Sequence, residues 1–108
     1  MYVAIYTTFS KLQDAKNIGR ILVQKKLVAC VNIVSNVFSI YNWKGKIEEE
    51  TEVVLWCKTR GKLVESIKEL IHEIHPYELP ASVVYPIKSG SEAYLKWIEE
   101  ETRSSDIN

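Results

Sequence analysis

Apolar residues along the chain switch between the two-residue period of strands and the three-to-four-residue period of helices. The apolar, β-branched and aromatic run 2–8 predicts a buried first strand. Apolar positions then recur at three and four residues, which predicts an amphipathic helix over about residues 11–26. Ser10 and Gln13 have the spacing of a capping box, so we expect the helix to start at Ser10.

The middle of the chain has the pattern of a long hairpin. Residues 28–34 predict a second strand, which the polar pair 35–36 interrupts as a bulge or bend before the strand resumes over 37–43. The segment around Gly45 predicts a turn, and a return strand follows from about Ile47 to Thr59. The two long strands are therefore neighbours in the sheet.

The return strand has two parts of different character. Its beginning is acidic at residues 48–50 and at Glu52, and we expect these carboxylates to be exposed. Its later part, residues 53–57, is apolar on both faces of a strand. This pattern predicts a position in the centre of the sheet, or a strand covered on both sides.

Three further elements follow the hairpin. A helical stripe over about residues 62–74 is stopped by Pro76, and residues 82–85 predict a short strand. A last helix opens after Gly90. The order βαββαβ with an extra C-terminal helix predicts an α+β, ferredoxin-like sandwich, formed by one domain over residues 1–108.

The length of the hairpin predicts self-association. The fifteen residues 29–43 would span about 50 Å if straight, whereas a compact domain of this size is roughly 35 Å across. The distal part carries Tyr41 and Trp43, and exposed apolar patches and strand edges favour interfaces. We therefore expect a homo-oligomer that buries both rings. The alternative is that the C-terminal helix, with Trp97, covers the free sheet face while the hairpin curls.

Composition narrows the possible partners and location. Fourteen basic residues balance fourteen acidic ones, so the zero net charge argues against broad nucleic-acid binding. No apolar run approaches the roughly 20 residues that span a bilayer, and no signal-peptide pattern is present. These features predict a cytoplasmic protein with no membrane partner. In that compartment Cys30 and Cys57 are expected to be free thiols that do not bridge each other. The alternative is a disulfide or a shared metal site.

Few residues carry an obvious chemistry. His72 and His75 have a spacing that can place two imidazoles on one helix face, as a metal site needs, but no Cys-x-x-Cys or nearby carboxylate pair completes a set. The alternative is that His75 caps the helix end and His72 is solvated. Residues 58–60 stand before a helix start and either bind an anion or simply cap the helix. No catalytic motif is recognisable, so no enzymatic reaction is expected.

Several stretches taken together resemble the CutA family of divalent-cation tolerance proteins. The tryptophan turn and the His-Pro-Tyr-x-x-Pro motif are specific in combination, and the likeness covers nearly the whole chain in the right order. The matching stretches are 29–33 (Ala-Cys-Val-Asn-Ile), 41–47 (Tyr-Asn-Trp-Lys-Gly-Lys-Ile), 58–59 (Lys-Thr), 75–80 (His-Pro-Tyr-Glu-Leu-Pro) and 94–98 (Tyr-Leu-Lys-Trp-Ile).

The resemblance implies a tight homotrimer with a cleft between subunits, linked to tolerance of copper and other divalent metals, and no established reaction. It leaves three functions open. The first is weak divalent-metal binding, with His75, Cys30 and acidic groups as candidate ligands and no required cofactor. The second is a sensor like the PII signalling proteins, with Lys58, Thr59, His75 and Tyr77 in the intersubunit cleft. The third is a structural trimer that acts through partner proteins.

This sequence departs from the family at two positions that matter for metal binding. Some members of the family bind copper with a cysteine at the end of the first strand and a histidine directly before the His-Pro-Tyr motif. Those places hold Thr7 and Ile74 here. Because Cu(I) prefers soft ligands such as thiolates, we expect no tight thiolate copper site.

Overall fold

The computed structural model describes residues 1–104 as four strands and three α-helices. In chain order the elements are β1 (Tyr2–Phe9), α1 (Leu12–Gln24), β2 (Cys30–Trp43), β3 (Lys46–Arg60), α2 (Val64–Ile74), β4 (Val83–Pro86) and α3 (Glu92–Glu101). A 3₁₀ turn, Gly61–Leu63, leads from β3 into α2. The predicted order of elements is therefore confirmed.

The strands form one antiparallel sheet in the order β2-β3-β1-β4. This order, with α1 and α2 as the crossover helices, is the ferredoxin-like fold that the pattern predicts. Strand β3 lies between β2 and β1, so its apolar segment 53–57 is in the centre of the sheet as expected. Strand β2 forms one edge of the sheet and the short β4 forms the other.

The core lies between the sheet and the helices α1 and α2, on what we call the helix face. Alternate residues of the two central strands point into it, because successive side chains of a strand lie on opposite faces. Burying each aliphatic side chain there contributes about 1.5–3 kcal/mol. The fully buried members of this core include Val3, Ile5, Phe9, Leu22, Leu55, Ile67 and Ile71.

The long hairpin bends at a bulge. Val34 pairs with Val54, but Val37 pairs with Glu52, so β2 has one residue more than β3 over this stretch. Asn36 within the bulge has a φ of 61°, a left-handed conformation that asparagine tolerates better than most residues. The interruption predicted at 35–36 is confirmed. The molecule measures 43 × 28 × 23 Å, shorter than a straight hairpin strand would be.

The start of α1 differs from the prediction. The N-cap residue is Lys11 in an extended conformation, with no side-chain cap hydrogen bond, so the capping box of Ser10 and Gln13 is wrong. Gln13 instead donates from Nε2 to Asn17 Oδ1 at 2.9 Å. Residues four apart lie side by side on a helix, and this local pairing competes with the reach back to the cap.

The second face of the sheet, which we call the open face, is covered by a helix only at one end. Helix α3 crosses that end, where Tyr2 OH donates to Glu99 Oε1 at 2.9 Å. The alternative in which the C-terminal helix covers the free sheet face is therefore only partly right. Beyond α3, the side chains of Val34, Val83 and Tyr85 remain between 45% and 47% exposed.

Two buried threonines on the helix face give a matched test of this packing. Thr7 Oγ1 is buried without a hydrogen-bond partner among residues 1–104, whereas Thr59 Oγ1 donates to the Leu27 carbonyl at 2.6 Å. Thr7→Val should therefore raise the free energy of unfolding by about 1 kcal/mol, and Thr59→Val should lower it by about 1–3 kcal/mol. Urea denaturation at one protein concentration measures both. Changes of the same sign in the two variants would contradict this packing.

Candidate functional site

The residues singled out by the sequence fall into two groups along the sheet. Cys30 pairs with Lys58, and Lys58 pairs with Ala4; we call this the lysine end. His75 is hydrogen-bonded to the Thr8 backbone, at what we call the histidine end. Four positions of β1 separate Ala4 from Thr8, which is roughly 13 Å at about 3.3 Å per residue. One chain therefore does not bring the two groups together.

His75 is held on both ring nitrogens. Its Nε2–H donates to the Thr8 carbonyl at 2.7 Å, and its Nδ1 accepts the Tyr77 backbone N–H at 3.1 Å. The ring stacks on Phe9 with centroids 4.2 Å apart and is 8% exposed. Because a carbonyl oxygen can only accept, the hydrogen bonds assign the proton to Nε2. Burial lowers the pKa of His75, so the ring is neutral near pH 7.

This geometry changes the expected role of His75 at the end of α2. The residue is the C-cap of the helix, and its backbone N–H bonds to the Ile71 carbonyl. However, the imidazole turns inward to β1 as a neutral ring, so it does not offer a positive charge to the helix end. A metal ligand needs a free nitrogen lone pair, and the lone pair of Nδ1 is used by Tyr77. Binding a metal there requires the loss of that hydrogen bond.

Glu52 is the residue of this end that sequence reasoning missed. It was expected to be exposed with the other glutamates of β3, and this is wrong, because it is only 8% exposed. The Tyr77 hydroxyl donates to Glu52 Oε2 at 2.9 Å. Burial, followed by this hydrogen bond, raises the pKa of Tyr77. The loop after Pro76 therefore docks onto the sheet through a phenol–carboxylate bond.

At the lysine end, Lys58 and Thr59 point to opposite faces. The Lys58 ammonium lies on the open face and donates to Asn32 Oδ1 at 2.8 Å and to Tyr94 OH at 3.3 Å. Thr59 is fully buried on the helix face. The side chain of Thr59 is thus not available to an open cleft in this chain. Sequence analysis did not select Asn32 or Tyr94, because their proximity to Lys58 depends on strand register and on the placement of α3.

The two cysteines also lie on opposite faces of the sheet. Cys30 pairs with Lys58 on the open face, while Cys57 pairs with Val31 and is fully buried in the core. Both thiols are free, as predicted. Burial raises the pKa of the Cys57 thiol to about 12, so it is unreactive at neutral pH.

The described part of one chain does not fit a closed metal centre. Within residues 1–104, no three His, Cys, Asp or Glu side chains come close enough to hold a metal ion. The two candidate ligands, Cys30 and His75, belong to the lysine end and the histidine end respectively, which one chain does not bring together. Thr7, at the family's cysteine position, points into the core, and Ile74, at the histidine position, is 37% exposed. Neither of these side chains supplies the thiolate or imidazole that a copper site prefers.

Tyr41 and Trp43, the expected interface rings, are partly used within the chain. The Tyr41 hydroxyl donates to Glu50 Oε2, which raises its pKa to about 12. Trp43 is half-buried, and Lys44 Nζ lies 5.4 Å from the centroid of its ring. Trp43 also lines a shallow cavity of about 170 Å³ against the loop that follows α2. These contacts leave both rings only partly available to a partner.

A second set of hairpin side chains is much more exposed. Phe38, Ile40 and Ile47 are 82%, 70% and 68% exposed, and we call them the hairpin strip. The register places Phe38 opposite Thr51, Ile40 opposite Glu49 and Ile47 opposite Asn42, so the three share one side of the hairpin. Apolar side chains grouped in this way form a candidate interaction surface.

Comparison with known proteins identifies the family. The family model for the CutA1 divalent ion tolerance proteins matches residues 3–101. The chain belongs to this family. A divalent-cation tolerance protein CutA from Pyrococcus horikoshii is 41% identical over 94% of this chain and 98% of its own length. The resemblance inferred from the sequence motifs is confirmed.

Solved structures and longer relatives agree with the assignment to the CutA family. A CutA1 structure from Oryza sativa has a TM-score of 0.93 and 35% identity, and it covers 96% of this chain and 95% of the other. The Protein CutA homolog of Xenopus laevis is 46% identical over 88% of this chain. The chain spans only 63% of that relative's length. Within residues 1–104, no helix is long and apolar enough to cross a membrane.

The buried neutral His75 predicts a pH dependence of stability. Its folded pKa is lowered below the ordinary 6.5, so near that pH the unfolded chain binds a proton that the folded chain does not. The free energy of unfolding should therefore be highest above about pH 7 and fall as the pH decreases towards about 5.5. Urea midpoints measured across this range at one protein concentration test the prediction.

A matched pair of histidine variants isolates the effect. His75→Gln should flatten the slope between about pH 7 and pH 5.5. His72→Gln, which changes an exposed histidine of α2, should leave the slope unchanged. The same slope in all three proteins would show that His75 is not the responsible group.

Proposed function

We propose that the chain is a homotrimeric divalent-cation tolerance protein that binds copper or another divalent metal weakly and contributes to the response to metal ions. Membership of the CutA1 divalent ion tolerance family, over residues 3–101, is the observation that carries the proposal. The relative from Pyrococcus horikoshii is itself described as a divalent-cation tolerance protein. The role is one of binding, and no catalytic step is proposed.

The hairpin strip supports the trimer. Phe38, Ile40 and Ile47 project from the β2–β3 hairpin, and β2 is an edge strand of the sheet. An edge strand offers unpaired backbone groups, and an apolar surface beside it offers burial, so a second copy satisfies both. In a closed ring of three copies every subunit uses one such surface against its neighbour. Tyr41 and Trp43 then lie at the margin of the interface.

A ring of three copies also gives the separated groups a way to meet. The lysine end and the histidine end are roughly 13 Å apart along β1, and a head-to-tail contact brings the lysine end of one subunit to the histidine end of the next. In this arrangement Cys30 and Lys58 of one subunit and His75 and Tyr77 of its neighbour line the same cleft. A divalent metal binds weakly there because the His75 nitrogens are already engaged.

A small-ligand sensor of the PII kind is the second candidate function. The observation that favours it is the Lys58 ammonium on the open face, bonded only to the neutral groups Asn32 and Tyr94 among residues 1–104. A positive charge of this kind suits an anionic metabolite. The metal and metabolite proposals use the same cleft and are separated by titration.

The trimer can be tested with matched charge insertions. Light scattering at micromolar concentration should give three times the 12.5 kDa chain mass. Phe38→Glu should dissociate the trimer, because burying an aromatic ring contributes about 2–3 kcal/mol at each interface and a buried carboxylate adds a further penalty. His72→Glu, which adds a carboxylate at an exposed position of α2 outside the hairpin strip and the cleft, serves as the control and should remain trimeric. A wild-type monomer would refute the proposal.

Metal binding can be tested by calorimetric titration of metal-free protein with Cu(II) and Zn(II). We expect dissociation constants no tighter than about micromolar, the range in which a site has few ligands and must break a hydrogen bond. His75→Gln should weaken binding about tenfold or more, whereas His72→Gln should not change it. Submicromolar binding that survives His75→Gln would refute this site.

A further inference from the structure

A compact polar cluster lies on the open face at the lysine end. Lys58 Nζ donates to Asn32 Oδ1 at 2.8 Å and to Tyr94 OH at 3.3 Å, and it lies 5.5 Å from the centroid of the Tyr94 ring. The three side chains come from β3, β2 and α3. Their neighbours on this face include the aromatic rings of Tyr6 and Trp56, whose centroids are 5.2 Å apart.

The charge of this cluster is not neutralised within the described chain. Lys58 is half-buried, and the ion pairs within residues 1–104 are Lys26–Glu101 and Lys68–Glu65, neither of which involves it. Asn32 and Tyr94 are neutral, so they orient the ammonium without cancelling its charge. Removing a charge from water is costly unless an opposite charge compensates it. The site therefore favours an anion.

A nucleophilic side chain borders the same cluster. Cys30 Sγ lies 3.5 Å from Tyr94 OH, and Cys30 is the cross-strand partner of Lys58 on the same face. Lys58 Nζ and Cys30 Sγ therefore both lie against the Tyr94 hydroxyl, at 3.3 Å and 3.5 Å. An anion held by Lys58 would come close to the Cys30 sulfur. Cys57, the other thiol, is buried on the opposite face.

We propose that Lys58, Asn32 and Tyr94 form a subsite for the carboxylate group of a small organic ligand, with Cys30 at its edge. A carboxylate fits better than a phosphate, because one ammonium with two neutral partners matches a single negative charge. This inference goes beyond the proposed metal response and gives the small-ligand alternative, on which it builds, a ligand class. All four residues belong to one chain, so the subsite does not depend on the trimer.

Two alkylating reagents that differ only in charge test the subsite. In both reactions the Cys30 thiolate attacks the methylene carbon, a C–S bond forms, the C–I bond breaks and iodide leaves. Iodoacetate carries a carboxylate, whereas iodoacetamide is neutral. At one pH the thiolate fraction is common to both reactions, so the ratio of their rate constants reports the attraction for the carboxylate alone. Peptide mass spectrometry distinguishes Cys30 from Cys57.

The expected result is a charge-selective effect at one lysine. Lys58→Met should lower the iodoacetate-to-iodoacetamide ratio at Cys30 by about fivefold, the factor that one unit charge at about 4 Å contributes in water. Lys46→Met removes the same charge at the exposed hairpin turn and should leave the ratio unchanged. Measurements share one low ionic strength, since salt screens exposed charges. An unchanged ratio in Lys58→Met, or equal falls in both variants, would overturn the proposal.

A second measurement uses the unmodified protein and does not require the Lys58 variant to fold. The ratio at Cys30 in the folded protein should exceed the ratio in a capped peptide of residues 27–34, which carries no charged side chain. A ratio no higher than that of the peptide would overturn the subsite. Light scattering of the same samples keeps the two proposals separate, because a monomer that retains the high ratio would refute only the trimer.

Discussion

The alternation of side chains along β3 determines where the chemically active groups of this chain lie. This strand is paired on both sides, so its register is held by β2 and β1 together, and a shift of one residue would exchange its two faces. The correct register sends Cys57 and Thr59 into the core and leaves Trp56 and Lys58 on the open face. The lysine end exists because this register is maintained.

The bulge in β2 is the second consequence of the same pairing. One extra residue between Val34 and Val37 bends the edge strand while β3 continues without interruption. Because of this bend, the hairpin can extend past the end of β1 at Phe9 and still fit within a molecule that is 43 Å long. As a consequence, the apolar hairpin strip is exposed to water in a single chain. The length of the hairpin and the proposed trimer are therefore connected, because the trimer would bury the apolar strip that the long hairpin exposes.

The histidine end shows how the fold closes the gap that remains beside the hairpin. Strand β1 stops at Phe9, and the loop after Pro76 takes the adjacent place. Its polar groups satisfy one another: His75 bonds to Thr8 and to the Tyr77 backbone, while Tyr77 bonds to Glu52. Buried polar groups are tolerated only when they are paired in this way. The hydrogen bonds that order the loop also occupy both ring nitrogens of His75, so a metal can bind there only if one of these bonds is broken.

The sequence by itself determined the elements, the fold class and the family. Periodicity is local information, so the strands, the helices and the bulge at 35–36 could be predicted from neighbouring residues. Motifs with fixed spacing, such as the one at 75–80, identified the CutA family in the same way.

Only the tertiary structure decided which faces and partners these residues have. Glu52 is buried because a loop distant in sequence covers it, and the Lys58 cluster forms because α3 returns to the open face. Such contacts join residues 25 and 36 positions apart in the chain, so no local pattern contains them. The capping box at Ser10 failed for a different, local reason, because Gln13 donates to Asn17 four residues further along α1. The sequence specifies the chemistry of each side chain, whereas the register of the sheet and the packing across its faces determine which side chains come into contact.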